Sequence, residues 1–128
     1  PDKLADKRWL LQNLDNRRVK VVDSRNPEEY TGKDKQAARD GHIPGASNID
    51  WVLNLDTGRR QTFLPLKELE KLYEQEEATR DKEIVTYCQI GIRAAHSYFT
   101  LRLLGYEYVR LYDGSWAEWG NSADTPIE

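Results

Sequence analysis

One six-residue stretch of the sequence combines residue types that could perform nucleophilic chemistry. It begins at Cys88, the only cysteine among 128 residues, and ends at Arg93, with Gly91 between them. A cysteine thiolate is a strong nucleophile, and an arginine supplies a permanent positive charge with a planar fork of donors. A glycine lets the backbone curl so that several amides point at one centre. The spacing therefore predicts a small anion-binding bowl with a nucleophilic sulfur at its base.

The same cysteine is equally compatible with an inert position in the core. Cysteine is among the most frequently buried residues, and Cys88 directly follows a short strand pattern at 84–87. Residue types and spacing alone leave both interpretations open. His42 and His96 are expected to make structural hydrogen bonds, because a single cysteine without paired ligand spacing gives a metal site little support. We predict no metal and no cofactor.

A strand–helix–strand pattern surrounds the cysteine. It predicts a strand at 84–87, a loop over 88–93, a helix to about Leu104 with Gly105 just beyond its end, and a second strand at 109–112. Two strands joined in this way are parallel, with a right-handed crossover. The loop then lies at a helix N-terminus, where free amides and the helix dipole favour an anion and therefore the thiolate.

The rest of the chain alternates strand and helix patterns in the same way. We expect an amphipathic helix over 3–14, a strand over 19–22, a short strand around 47–49 and a helix that begins at Pro65. These elements predict a single α/β domain with a mostly parallel sheet of four to five strands and helices on both faces.

Ligands of such sheets bind beyond the carboxyl ends of the strands. Three of these ends carry the segments 23–25, 88–93 and 113–116. Asp23 is as compatible with a turn cap as with a substrate contact, and Arg25 on its own is best explained as a solvated charge. The only cysteine therefore lies on the edge of the sheet where function is expected.

Composition limits the function classes. The chain has 38% hydrophobic residues, with four tryptophans and seven tyrosines, which suits one folded domain over 1–128. The net charge is −3 with acids and bases interspersed, so a nucleic-acid surface has no support. There is no membrane-spanning apolar run and no signal-peptide pattern, which predicts a cytoplasmic protein without a membrane partner. Because the sequence starts at Pro1 and lacks methionine, we expect that it was excised from a longer chain.

Four segments resemble, in the right order, the signatures of the rhodanese (sulfurtransferase) family: 21–30, 41–46, 88–93 and 113–119. Each is only moderately specific, but the four together are strongly so. The last is similar to the ending of the catalytic, C-terminal domain of tandem-domain thiosulfate sulfurtransferases. The resemblance implies the rhodanese fold and a second rhodanese domain in the parent chain.

The resemblance also implies a reaction. In this family the loop cysteine attacks the outer sulfur of thiosulfate, releases sulfite and keeps a persulfide, which cyanide or a thiol then discharges. By position, Cys88 is the nucleophile, and Arg93 closes the loop and attracts the anionic donor. Arg25 matches a position that contacts the donor in some tandem enzymes. The loop residues implied to bind the substrate are Gln89, Ile90, Gly91 and Ile92.

Several alternatives stay open. A 3-mercaptopyruvate sulfurtransferase carries a small hydroxyl residue where this chain has Ile90, and tends to carry an arginine where it has Glu29, so thiosulfate is the expected donor. A phosphatase or arsenate reductase uses a Cys-x5-Arg loop, one residue longer than 88–93. A non-enzymatic rhodanese module usually lacks the cysteine or disrupts the loop. A sulfur-relay module with a protein acceptor is compatible with the same residues.

Overall fold

A five-stranded parallel sheet forms the centre of the molecule in the computed structural model, which describes residues 3–56 and 62–128. Its strands are β1 (Leu4–Ala5), β2 (Val19–Asp23), β3 (Ser47–Asn48), β6 (Glu83–Tyr87) and β7 (Val109–Tyr112). A separate antiparallel pair consists of β4 (Leu55–Asp56) and β5 (Thr62–Phe63). The helices are α1 (Lys7–Asn13), α2 (Pro27–Thr31), α3 (Leu66–Gln75), α4 (Ile92–Leu103) and α5 (Ser115–Trp119), with a 3-10 helix at Trp51–Asn54. Among the described residues, no helix has the length and apolar character needed to cross a membrane.

The strand order places three strand ends side by side. The order is β1–β7–β6–β2–β3, and each neighbouring pair is parallel. Strand β6 pairs with β2 up to Tyr87, which lies opposite Asp23, and with β7 from Ile84 opposite Val109. The carboxyl ends of β2, β6 and β7 therefore meet at one edge of the sheet, the edge at which the sequence predicts the site.

Alternating side chains of the strands build two cores, one on each face of the sheet. Val21 and Val85 pack on one face with Leu10 of α1 and Trp116 of α5. The residues that follow or precede them, such as Val22 and Ile84, pack on the other face with α3 and α4. This is the two-residue period of a strand that is buried on both sides. The predicted parallel sheet with helices on both faces is confirmed.

Two predicted elements differ from the structure. The helix expected over 3–14 begins only at Lys7, because Leu4 and Ala5 pair with β7 and Asp6 caps the helix by accepting the amide of Trp9. The loop expected over 88–93 is shorter, since α4 already begins at Ile92.

Several short elements were not predicted, among them the 3-10 helix at Trp51–Asn54. Helix α2 starts at Pro27 behind an Asn26 cap, where the sequence indicated only a turn, and α5 and the β4–β5 pair had no counterpart among the predictions. The end of α4 is as predicted, with Gly105 in the left-handed conformation at a φ of 89°.

Candidate active site

A tight loop joins β6 to α4 at the edge of the sheet. Cys88 follows the last residue of β6, and Gly91 is the N-cap of α4 with a φ of 101°. A Cβ atom at this position would lie 2.9 Å from Oδ1 of Asp113, which comes directly after β7. Only glycine meets both the positive φ and the close approach without strain. The turn that the sequence attributed to Gly91 is therefore present.

Two backbone amides donate hydrogen bonds to the sulfur of Cys88. Its Sγ atom accepts the amide of Gly91 at 3.0 Å and the amide of Ala94 at 3.3 Å. The amides of Ile92 and Arg93 lie in the first turn of α4, where no intrahelical acceptor exists for them. Together with the positive end of the helix dipole, this arrangement stabilises negative charge at the sulfur.

Cys88 combines features of the two interpretations that its sequence position left open. The residue is fully buried, as a core thiol would be. A core position does not by itself account for the two amide N–H groups that Sγ accepts, nor for the helix N-terminus at which Cys88 lies. Because the residue is fully buried, a sulfur donor can reach the sulfur only when neighbouring groups move.

The segment after β7 fixes the loop from the other side. Trp116 donates its amide to the carbonyl of Cys88 at 2.8 Å, and Ala117 donates to the carbonyl of Gln89 at 2.9 Å. The amide of Cys88 donates to Oγ of Ser115 at 3.1 Å. Sequence reasoning treated Trp116 as a packing residue, which its complete burial confirms, but missed these backbone contacts.

Arg93 points its guanidinium at a buried carboxylate. Its Nη1 and Nη2 atoms donate to Oε1 and Oε2 of Glu29 at 2.7 and 3.0 Å. The hydrogen bonds to Glu29 raise the pKa of Arg93, as do, to a smaller extent, the charges of Glu29 and Cys88. Burial raises the pKa of Glu29, but the bonds to Arg93 and its charge outweigh burial, and the pKa is lowered overall. The carboxylate of Glu29 therefore largely compensates the positive charge that Arg93 brings near Cys88.

The remaining loop residues offer backbone rather than side chains. Ile90 and Ile92 are 61% and 72% exposed, so their side chains do not enclose the buried sulfur. Gln89 donates through Nε2 to the carbonyl of Gln36 at 3.1 Å, which ties the loop to the segment before β3. Its Oε1 atom is buried and has no hydrogen-bond partner in the part of the chain that the structure describes.

Arg25 lies in a buried ion pair next to the loop. Its Nε and Nη2 atoms donate to both carboxylate oxygens of Asp23, and Nη2 also donates to the carbonyl of Gly41 at 2.7 Å. The guanidinium lies over the rings of Tyr87 and Trp116 and is 1% exposed. It is not the solvated charge that its sequence position first suggested. This geometry favours a structural role for Arg25 over contact with a sulfur donor.

The two histidines make structural contacts, as predicted. His42 stacks on Tyr30 and places Nδ1 2.8 Å from its carbonyl oxygen. His96 packs against Trp51 and Phe63, and burial lowers its pKa. Over residues 3–56 and 62–128, no cluster of three or more His, Cys, Asp or Glu side chains could hold a metal ion.

Comparison with known proteins agrees with the signatures in the sequence. The chain matches the Rhodanese-like domain family over residues 6–122. The chain belongs to the rhodanese-like family. It is 47% identical over 116 residues to the sulfur carrier protein TtuD of Thermus thermophilus, a match that covers 84% of this chain and 40% of TtuD. It is 39% identical over 124 residues to a thiosulfate sulfurtransferase of Pseudomonas aeruginosa, covering 97% of this chain and 45% of that protein. The rhodanese-like chain thus spans less than half the length of these curated relatives.

Solved structures share the rhodanese-like fold. The anaerobic ergothioneine biosynthesis enzyme of Chlorobium limicola, in complex with trimethyl histidine, aligns with a TM-score of 0.91 at 25% identity. The alignment covers 100% of this chain and 32% of that enzyme. A structure of EanB that carries a cysteine persulfide together with ergothioneine aligns with the same TM-score, identity and coverage.

The ion pair of Arg25 predicts a loss of stability when the arginine is removed. Replacement of Arg25 by Met leaves the buried Asp23 without its charged partner, and we expect the free energy of unfolding to fall by about 3–5 kcal/mol. Denaturant unfolding measures this change.

Arg80→Met is the matched control, because Arg80 also pairs with a carboxylate and lies over a tyrosine ring, but is exposed. We expect that control to cost about 0–1 kcal/mol. Native stability of Arg25→Met combined with a raised KM for thiosulfate would instead indicate contact with the donor.

The Glu29–Arg93 pair predicts the effect of a charge on thiosulfate affinity. Glu29→Gln removes a negative charge from the neighbourhood of the sulfur. With thiosulfate, the donor expected from the sequence, the KM should therefore fall about fivefold at low salt and less at high salt. Because the pKa of Glu29 is lowered below its ordinary value of 4.5, the carboxylate stays ionised at neutral pH, and the difference should not change across the neutral range. Steady-state kinetics measure both effects.

Glu28→Gln is the matched control for this substitution. It removes the same charge from the neighbouring, exposed position of α2, and its effect on KM should be smaller because water screens it. A higher KM in Glu29→Gln would contradict the interpretation, since it would mean that Glu29 serves mainly to hold Arg93 in place for the donor.

Proposed function

We propose that this domain transfers a sulfane sulfur from thiosulfate to a nucleophilic acceptor, cyanide or a thiol, through a persulfide on Cys88. The observation that carries the proposal is the pair of backbone amides, from Gly91 and Ala94, that donate to Sγ at the start of α4. A persulfide is an anion, and amides held in place before the reaction stabilise it without reorganisation. The thiosulfate sulfurtransferases among the relatives support the same chemistry.

The loop is small, which favours sulfur over phosphate. Four residues separate Cys88 from Arg93, and the turn at Gly91 brings the amides of Gly91 and Ala94 directly onto one sulfur atom. The phosphatases and arsenate reductases that this fold resembles use a loop one residue longer to surround a tetrahedral oxyanion. The compensation of Arg93 by Glu29 further reduces the positive charge available to a phosphate.

The proposed reaction has two steps with a covalent intermediate. The Cys88 thiolate attacks the outer sulfur of thiosulfate, a new S–S bond forms, and the original S–S bond breaks with its electron pair leaving on sulfite. The persulfide anion then rests against the loop amides. Cyanide attacks the outer sulfur, thiocyanate leaves, and the thiolate of Cys88 is restored; a thiol acceptor takes the sulfur in the same way.

A role as a sulfur carrier is the second candidate. It is favoured by the 47% identity to the sulfur carrier protein TtuD. A carrier and an enzyme share the persulfide but differ in the acceptor. A carrier retains its sulfur in the presence of a small thiol and releases it to a protein, whereas the enzyme turns over continuously with the small acceptor. A second rhodanese domain in the parent chain stays a prediction in either case.

The first test is the mass of the protein. Treatment of the reduced, folded domain with thiosulfate should add one sulfur atom, and subsequent cyanide should remove it. Since Cys88 is the only cysteine, intact mass spectrometry assigns the sulfur without further mapping. Cys88→Ser should keep the fold, as judged by its unfolding transition, and take up no sulfur. An unchanged mass of the folded wild-type protein would refute the proposal.

The second test concerns the choice of donor. Thiosulfate is a compact dianion that needs mainly amide donors, whereas 3-mercaptopyruvate leaves as an enolate that must be protonated, and Ile90 provides no hydroxyl for this step. We expect a higher kcat/KM for thiosulfate than for 3-mercaptopyruvate with a shared acceptor. Ile90→Ser should narrow the difference without reversing it, because one hydrogen bond to a charged group contributes only about 1.5–3 kcal/mol.

The control for the donor test is Ile92→Ser, which removes a similarly exposed isoleucine from the start of α4. It should leave the ratio of the two donors unchanged. A clear preference of the wild-type protein for 3-mercaptopyruvate would show that the proposed donor is wrong.

A further inference from the structure

The hydrogen-bond ladder between β6 and β7 ends abnormally at Cys88. The two strands are parallel, with Ile84 opposite Val109 and Thr86 opposite Leu111. The amide of Ile84 donates to the carbonyl of Tyr108 at 2.8 Å. In a parallel ladder this pattern repeats every two residues along both strands. Continued to the end of the sheet, it would pair the amide of Cys88 with the carbonyl of Tyr112.

A hydroxyl group occupies the place of that bond. Oγ of Ser115 accepts the amide of Cys88 at 3.1 Å and donates to the carbonyl of Tyr112 at 2.9 Å. The two backbone groups that the ladder would join are therefore joined through one side-chain oxygen. The inserted oxygen separates β6 from β7 at the residue where the chain leaves the sheet.

The backbone of Ser115 indicates that this contact is held against strain. Its φ is 54°, a conformation that a residue with a side chain rarely adopts, and the residue is completely buried. Such a conformation persists only where the surroundings impose it. The amides of the next two residues, Trp116 and Ala117, donate to the carbonyls of Cys88 and Gln89. The same segment therefore binds both the amide and the carbonyl of Cys88.

We propose that Ser115 is a positioning residue for Cys88. Its hydroxyl interrupts the ladder and directs Cys88 out of the strand into the loop, where Sγ meets the amides of Gly91 and Ala94. Without the hydroxyl, the amide of Cys88 can bond directly to the carbonyl of Tyr112, which extends β6 by one residue and draws the sulfur away from its donors. The expected change in turnover rate rests on the proposed sulfur transfer, whereas the expected change in the ionisation of the Cys88 thiol does not.

The experiment follows the ionisation of Cys88 in two variants. Ser115→Ala and Ser115→Gly both remove the hydroxyl, and only glycine also relieves the positive φ. Thiolate absorbance is recorded against pH, with the spectrum of Cys88→Ser subtracted. In both variants we expect the midpoint of this absorbance curve, the thiolate midpoint, to rise by about one pH unit. The reason is that the thiolate loses charge-assisted hydrogen bonds from the amides. With thiosulfate and cyanide, we expect kcat to fall about tenfold in both while KM changes little, because the loss acts on the reacting sulfur.

Ser97→Ala is the matched control. Ser97 is another completely buried hydroxyl, bonded to Ser24 on the opposite face of the sheet, and its loss should lower stability without moving the thiolate midpoint. Unfolding curves of all variants identify any effect that is only structural. If Ser115→Ala does not fold, Ser115→Gly carries the test, since it retains the backbone conformation.

Two results would overturn the proposal. One is a thiolate midpoint that stays at the wild-type value in both variants. The other is a result in which Ser115→Gly keeps the wild-type thiolate midpoint and kcat while Ser115→Ala does not. The backbone conformation rather than the hydroxyl would then position the cysteine. Failure of the proposed function is recognised separately, since the wild-type protein would then show no sulfur transfer while the shift in the thiolate midpoint remained.

Discussion

The sulfur of Cys88 is shielded from water, so hydrogen-bond donors of the protein must stabilise any negative charge that it carries. The donors present are the backbone amides of Gly91 and Ala94 at the start of α4. Donors on long, flexible side chains would move as those side chains change rotamer, whereas backbone amides are fixed by the fold itself. The proposed sulfur transfer therefore depends on how rigidly the backbone of one loop is held.

Three neighbouring strands supply that fixation. Strand β6 ends just before the cysteine, and the segment after β7 binds the amide and carbonyl of Cys88. After β2, Arg25 lies over the rings of Tyr87 and Trp116, and Asp23 at the end of that strand accepts the hydroxyl of Tyr87. Charge has a secondary part, because Glu29 compensates Arg93. The result is a site of modest net charge in which oriented peptide dipoles are the main feature that favours an anion.

The sequence predicted those features that depend on near neighbours. The strand before Cys88, the turn at Gly91 and the parallel sheet follow from local patterns, and the structure contains them. The bonds between Glu29 and Arg93 and between Ser115 and Cys88 join residues that are 64 and 27 positions apart, so no local pattern reveals them. The pair at Asp23 and Arg25 spans two positions at a strand end and could have been recognised as a buried ion pair.

The most direct test of the account is a crystal structure of the domain after treatment with thiosulfate. We predict a second sulfur bonded to Sγ of Cys88, within hydrogen-bonding distance of loop amides that include those of Ile92 and Arg93, with the Glu29–Arg93 pair intact. A persulfide that points away from these amides, or that binds the guanidinium of Arg93 instead, would contradict the claim that the backbone of the loop stabilises the transferred sulfur.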